Sequence, residues 1–248
     1  MDFSQPYIVI SFFIILAVVA FMYASVGHGG ASGYLALMSL FAFSTIVMKP
    51  SALLLNIFVA GVSFWFFRKN KHFRWKLFYP FAITSIPAAF IGGSLSIDPT
   101  LYKQILGAFL IIAILRMLQL FGTSTAKKTS PNLYAALLIG LLIGLFSGMI
   151  GIGGGIILSP VIILLGWGTV KEAAAVSALF ILVNSVSGIV GFTVTGGSIP
   201  VEAFYLVPIA LIGGALGAFY GSGKFNVKTM TYLLATVLLI ASIKLYLV

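Results

Sequence analysis

The chain has 248 residues, of which 61% are hydrophobic and 7% charged, against about a quarter charged in an ordinary soluble domain. That composition excludes a soluble globule, and the net charge of +10 makes no nucleic-acid surface, because so few cations along so apolar a chain form no wetted phosphate-binding face. The absence of Cys excludes disulfides, thiol nucleophiles and Cys-based metal sites.

The N-terminus carries Asp2 and no basic cluster, so no signal peptide is read and the first apolar segment is taken into the fold. Between Asp2 and Lys49 lie 46 residues without Asp, Glu, Lys or Arg, and 42 more lie between Lys128 and Lys171. A helix rising about 1.5 Å per residue crosses a hydrocarbon core of about 30 Å in roughly 20 residues, so each run needs a break in its middle. The breaks are read at Gly27-His28-Gly29-Gly30-Ala31-Ser32-Gly33 and at Gly151-Ile152-Gly153-Gly154-Gly155, where glycine density favours a turn over a continued helix. The other spans, each about one bilayer thick, are predicted at 51–67, 77–96, 101–121, 171–195, 201–222 and 228–247.

Superposing the breaks exposes a tandem repeat. Gly27-x-Gly29-Gly30 matches Gly151-x-Gly153-Gly154. Ser51-Ala52-Leu53 leading to Asn56 matches Ser177-Ala178-Leu179 leading to Asn184, and Pro87-x-Ala89-x-Ile91-Gly92-Gly93 matches Pro208-x-Ala210-x-Ile212-Gly213-Gly214. The expected organisation is a first repeat at 1–121, a basic cytoplasmic linker at 122–132 and a second repeat at 133–248.

If each broken segment crosses once the halves are parallel; if it is a hairpin they are inverted. With Arg68 to Lys76 in the cytoplasm, the parallel arrangement divides Lys and Arg 9 inside to 5 outside and the inverted arrangement 11 to 3, so the positive-inside rule favours inversion with both termini outside. The fold expected is an all-α polytopic membrane protein of two inverted repeats, each a Gly-broken helical hairpin plus three transmembrane helices, about ten helical segments in all.

Inverted repeats with interrupted helices build secondary transporters, where unwound backbone lines a mid-membrane site. Helices restarting near Ser32 and Ile156 present amides and a positive dipole end that attract anions. The candidate site therefore comprises Gly27, His28, Gly29, Gly30 and Ser32 from the first break, and Gly151, Gly153, Gly154 and Gly155 from the second. Asn56, Ser177 and Asn184 add polar groups from the following spans, and Ser25 is a further hydroxyl candidate. His28 is the one side chain deep in the first run that ionises near neutral pH, serving either a ligand or a structural hydrogen bond; Asn56 and Asn184 carry the same two readings. The stripes Gly140/Gly144/Gly148 and Gly213/Gly217/Gly221 are read as helix packing, and Lys49 and Lys171 as topology or lipid contacts ahead of the alternative that they attract an anion at the cavity mouth. Asp2, Asp98, Glu172 and Glu202 all fall at span ends, which leaves no mid-membrane carboxylate for a sodium site. No Walker motif, metal-ligand cluster or nucleophile set is present, so no cofactor, metal or enzymatic activity is expected.

These motifs, with Phe146-Ser147-Gly148-Met149-Ile150-Gly151-Ile152-Gly153-Gly154-Gly155 and Pro160 beyond it, make the chain resemble the TauE/SafE family of membrane transport proteins, the sulfite exporters. The resemblance covers about residues 7–247. It implies export of sulfite or organosulfonates across the cytoplasmic membrane of a prokaryote, with the bilayer and a small anion as partners; the size of the chain allows a homodimer. A gated anion channel and a non-transporting sensor or structural membrane protein are the alternatives.

Overall fold

The computed structural model describes residues 6–95 and 130–222, with isolated residues between 98 and 115 and at 239 and 243. Most of the predicted span at 228–247, most of the span at 101–121 and most of the linker lie outside the described residues. Eight helices are described, with no strand among them: α1 Pro6–Ser25, α2 Ala31–Leu40, α3 Thr45–Lys69, α4 Trp75–Ser94, α5 Leu133–Ile150, α6 Gly155–Leu164, α7 Val170–Val194 and α8 Val201–Gly221. Six are long and apolar enough to cross a bilayer. Ten-residue α2 and α6 are not, since each rises only about 15 Å.

Local chemistry sets the ends. Thr169 caps α7 through a capping box with Glu172, and Asn132 caps α5 by accepting from the Ala135 amide. α3 starts six residues before the predicted 51, because Pro50 removes one hydrogen bond from its second turn without ending it. The turns after α2 and α6 have the same wiring. Phe43 N–H returns to Met38 O (2.9 Å), and Trp167 N–H returns to Ile162 O (2.9 Å). The left-handed residue is Ala42 in the first turn and Gly166 in the second.

Close contacts give the helix directions. Gly213, Gly217 and Gly221 of α8 abut the backbones of Ala17, Phe21 and Ser25 of α1, so these helices run parallel. Gly140, Gly144 and Gly148 of α5 abut Phe81, Ser85 and Ala89 of α4, again parallel. Both stripes are thus packing faces with no room for a methyl group. α3 runs antiparallel to α7: Leu53 neighbours Gly188, Asn56 bonds Ser185, and Phe67 packs with Ala174. Val59 and Phe66 of α3 meet Gly214 and Phe219 of α8 in parallel order, and Ile86 and Phe90 of α4 meet Ser187 and Gly191 of α7 likewise. Hence α1, α3 and α8 point one way, and α4, α5 and α7 the other.

α2 folds back beside α1: Ser32 bonds Tyr23, Gly33 abuts Val19, and Phe41 and Phe43 reach Phe12. The loop after α3 meets the start of α7, where Arg74 pairs with Glu172 at 3.6 Å. Burial there, with the Lys171 ammonium, holds His72 below its ordinary range. Outward faces carry Ile14, Ile83, Val190 and Leu216 exposed, as a lipid-facing surface requires. Exposed Trp65, Trp75, Tyr79 and Tyr134 gather at one end of the bundle, with Tyr7 and Tyr205 at the other.

Candidate functional site

The two breaks meet at the centre of α3. Asn56 is fully buried. Its Oδ1 accepts from the Ala31 amide (3.1 Å), while its Nδ2 donates to Ile152 O (3.2 Å) and to Ser185 Oγ (3.3 Å). One side chain therefore holds the first residue of α2, the second break and α7. Gly29 and Gly153 both sit against Asn56 on one side and Ile181 on the other, too close for any added Cβ. Gly153 and Gly154 are consecutive residues at φ +77 and +78, a conformation glycine adopts without the penalty other residues meet. It turns the chain so that α6 restarts beside α5.

The other predicted residues occupy three settings. His28 is half-buried; its Nδ1 lies 3.1 Å from Val26 O, and its ring also faces the backbone of Gly155. Ser32 Oγ shares a hydrogen bond with the Tyr23 hydroxyl (2.8 Å), and Tyr34 Oη donates to Gly29 O (2.7 Å) beside Gly30. Gly27 abuts Ala174 of α7, and Gly151 lies against the Lys49 backbone. Ser177 Oγ accepts from Ser159 Oγ (2.7 Å) along the α6–α7 packing, and Ser25 Oγ donates to Met22 O (2.7 Å).

Two sequence expectations are corrected. The repeat match pairs Asn56 with Asn184, but Asn56 and Ile181 are the residues that correspond, each the twelfth in its helix and each flanking both Gly29 and Gly153. Asn184 sits almost one turn further along α7; the Ser-Ala-Leu match misled because it required an indel that helices of equal length do not contain. Lys49 is not a lipid contact. It is 7% exposed, donates to Gly93 O (3.0 Å) and Leu95 O (3.4 Å) at the end of α4, and lies 5.5 Å from the Phe192 ring centre. The negative end of the helix dipole there suits a cation.

Asn184 differs from Asn56 in a further way. It is fully buried, yet neither its amide nitrogen nor its oxygen has a hydrogen-bond partner. Ser147 and Ser85 carry buried hydroxyls in the same condition. Sequence reasoning missed both serines, which read as small packing residues within Gly-rich and Ala-rich helices. Among the described residues no group of His, Asp or Glu could hold a metal ion.

The chain matches the family described as "Sulfite exporter TauE/SafE" over residues 12–245. The chain belongs to the TauE/SafE family. It is 36% identical to "Probable membrane transporter protein y4hK" of Sinorhizobium fredii (strain NBRC 101917 / NGR234), over 99% of both chains. It is 27% identical to "Probable membrane transporter protein YunE" of Bacillus subtilis (strain 168), over 92% of this chain and 95% of that one. No solved structure matches it. This TauE/SafE protein is thus a multi-pass membrane protein of a transporter family, and its Gly-rich breaks lie within the matched region.

Proposed function

We propose that this TauE/SafE protein is a secondary transporter that exports small sulfur-containing anions, sulfite or an organosulfonate, across a prokaryotic cytoplasmic membrane. The anion binds at mid-membrane, at the Gly-rich breaks, and is exposed to alternate sides as the halves rock. The observation that carries this reading is the meeting of both breaks at Asn56, twelve residues into a 25-residue spanning helix. That is the depth at which unwound backbone serves a binding site rather than a loop.

The two halves, 1–121 and 133–248 joined by a cytoplasmic linker at 122–132, are inverted repeats with both termini outside. Support comes from direction: α1, α3 and α4 each run opposite to their counterparts α5, α7 and α8. The return of α2 along α1 adds to it, since a segment that enters and leaves on one side changes the parity of each half. Arg74 and Glu172 also share one side, as inversion requires.

The first-turn amides of α2 and α6, with Gly27, His28, Gly29, Gly30 and Ser32 on one side and Gly151, Gly153, Gly154 and Gly155 on the other, form the lining. Asn184 and Ser177 contribute from α7. Asn56 acts in the lining as the strut that fixes both breaks. The described spans supply no carboxylate, as Glu172 and Glu202 lie in the first turns of α7 and α8, so sodium coupling through a carboxylate site is not part of the mechanism.

The test is uptake by the purified chain in liposomes, with sulfite, sulfate, thiosulfate and sulfoacetate offered in turn. Saturable flux stimulated by substrate on the far side supports alternating access. Non-saturating conductance would move the reading to a channel, and no flux with any of the four would end it.

A further inference from the structure

The two breaks share left-handed glycines at Gly27 and Gly151 and at Gly30 and Gly154 but are unlike in surroundings, and the difference selects one of them. Beside the first break the corresponding positions are filled: Tyr23 and Val59 are buried in one apolar cluster, and the Tyr23 hydroxyl is paired with Ser32. Their counterparts beside the second break are Ser147, which precedes Gly151 by the same four residues as Tyr23 precedes Gly27, and Asn184, the fifteenth residue of α7 as Val59 is of α3. A tyrosine has become a serine, and a valine an amide. Both replacements are at most 3% exposed and without partners, in a setting where buried polar groups are ordinarily satisfied.

Packing places the two side chains together. Asn184 is one turn after Phe180, whose ring lies 3.0 Å from a Cβ position at Gly154, and one turn before Gly188, which faces Gly148 of α5 and Ala89 of α4. A helical side chain leans toward the turn before its own Cα, so Asn184 leans toward Gly154. Ser147 is bracketed by the same marks: it precedes Gly148, and its Cβ is 3.4 Å from the Cβ position of Gly154. Ser85, with its own unpartnered hydroxyl, lies on α4 against Gly144, one turn from Gly148. The N-terminus of α6, with its amides and positive dipole end, opens at Gly155 onto the same place.

We infer that the α4–α5–α7 junction beside the second break is the ligand site, and that it takes a small singly protonated oxyanion, such as hydrogensulfite. This rests on the transport reading above and narrows it. Asn184 brings an unsatisfied acceptor as well as unsatisfied donors. A fully deprotonated dianion satisfies the donors but turns negative charge toward Oδ1, whereas a hydrogen-bearing anion donates its O–H to Oδ1 and accepts from Nδ2, Ser147 and the α6 amides. The proton then crosses on the substrate, and the spans need no carboxylate relay.

The full chain in liposomes tests this with sulfite as the probe and methanesulfonate as a comparison of similar size that carries no O–H. At constant total sulfite, flux rises as the loading side is acidified through the range where sulfite gains its proton, and methanesulfonate is carried at least about tenfold less well, the loss expected for one or two hydrogen bonds. Asn184→Leu lowers sulfite flux at least about tenfold with unchanged membrane insertion, and Ser147→Ala raises KM several-fold. If the Leu variant fails to insert, the Ser147→Ala result and the pH profile decide. Asn184→Leu protein that melts at a lower temperature yet carries sulfite like its parent marks a structural water site and overturns the inference, as does equal transport of methanesulfonate. If the parent moves no anion, the transport reading fails separately. A melting-temperature rise with sulfite that is lost in Asn184→Leu then still supports the site, and its absence from the parent refutes it.

Discussion

The side-chain amide of Asn56 donates to the carbonyl of Ile152 at 3.2 Å, across 96 positions of sequence. The same side chain accepts from the Ala31 amide and donates to Ser185, so both breaks are anchored on one residue. Asn56→Leu leaves three buried polar groups without partners, each costing about 1–3 kcal/mol when orphaned. The expected outcome is a variant less stable by at least about 3 kcal/mol, read as a lower melting temperature in detergent. An unchanged melting temperature would remove Asn56 from its role as a strut.

The glycine stripes separate packing from permissiveness. Gly144→Ala drives a methyl into the Ser85 backbone and is expected to destabilise by about 1–3 kcal/mol, the range for overpacking. Gly61 of α3 has only Leu182 Cδ1 nearby, at 4.0 Å from a Cβ position. Gly61→Ala is therefore neutral or stabilising by up to about 1 kcal/mol, the difference in helix propensity. Parallel melting curves of the two variants check both outcomes.

Ala42 holds φ at 57° in the turn where the second half has Gly166 at φ 67°. A left-handed alanine costs about 1–2 kcal/mol, so Ala42→Gly is expected to raise stability by up to about 1 kcal/mol after the added freedom of the unfolded glycine is deducted. A fall in stability would mean that the turn draws on the Ala42 side chain.

Gly153→Val and Gly29→Val place side chains against Asn56 and Ile181. Both variants are expected in the membrane at parental levels but inactive in transport. Full transport by both would refute the breaks as the site.

Topology is directly testable because the chain has no native Cys. Lys71→Cys and Lys171→Cys react with a membrane-impermeant thiol reagent from the cytoplasmic side, and Ser198→Cys reacts from the outside. Labelling of Lys71→Cys and Lys171→Cys from opposite sides would contradict the inverted arrangement.

Much of this was legible in the chain. Charge-free runs too long for one helix located both breaks. The four-residue glycine spacing of the stripes announced close packing. What the sequence concealed was register. The Ser-Ala-Leu match set Asn184 almost a turn away from where α7 carries it, because short identical words in low-diversity helices align at several offsets. Nothing local distinguishes Asn56, spent on backbone groups far away in sequence, from Asn184, which has none. Ser147 looked like one more small residue in a glycine-rich helix, and only its place in space beside Gly154 sets its unpartnered hydroxyl apart.

The most direct measurement of the central claim is sulfite movement by the purified chain in liposomes, with and without sulfite on the far side. Saturable flux that far-side sulfite accelerates is the result expected of a transporter whose halves rock about the breaks. No movement of sulfite or of the related anions, or a conductance that neither saturates nor responds to far-side substrate, would contradict it.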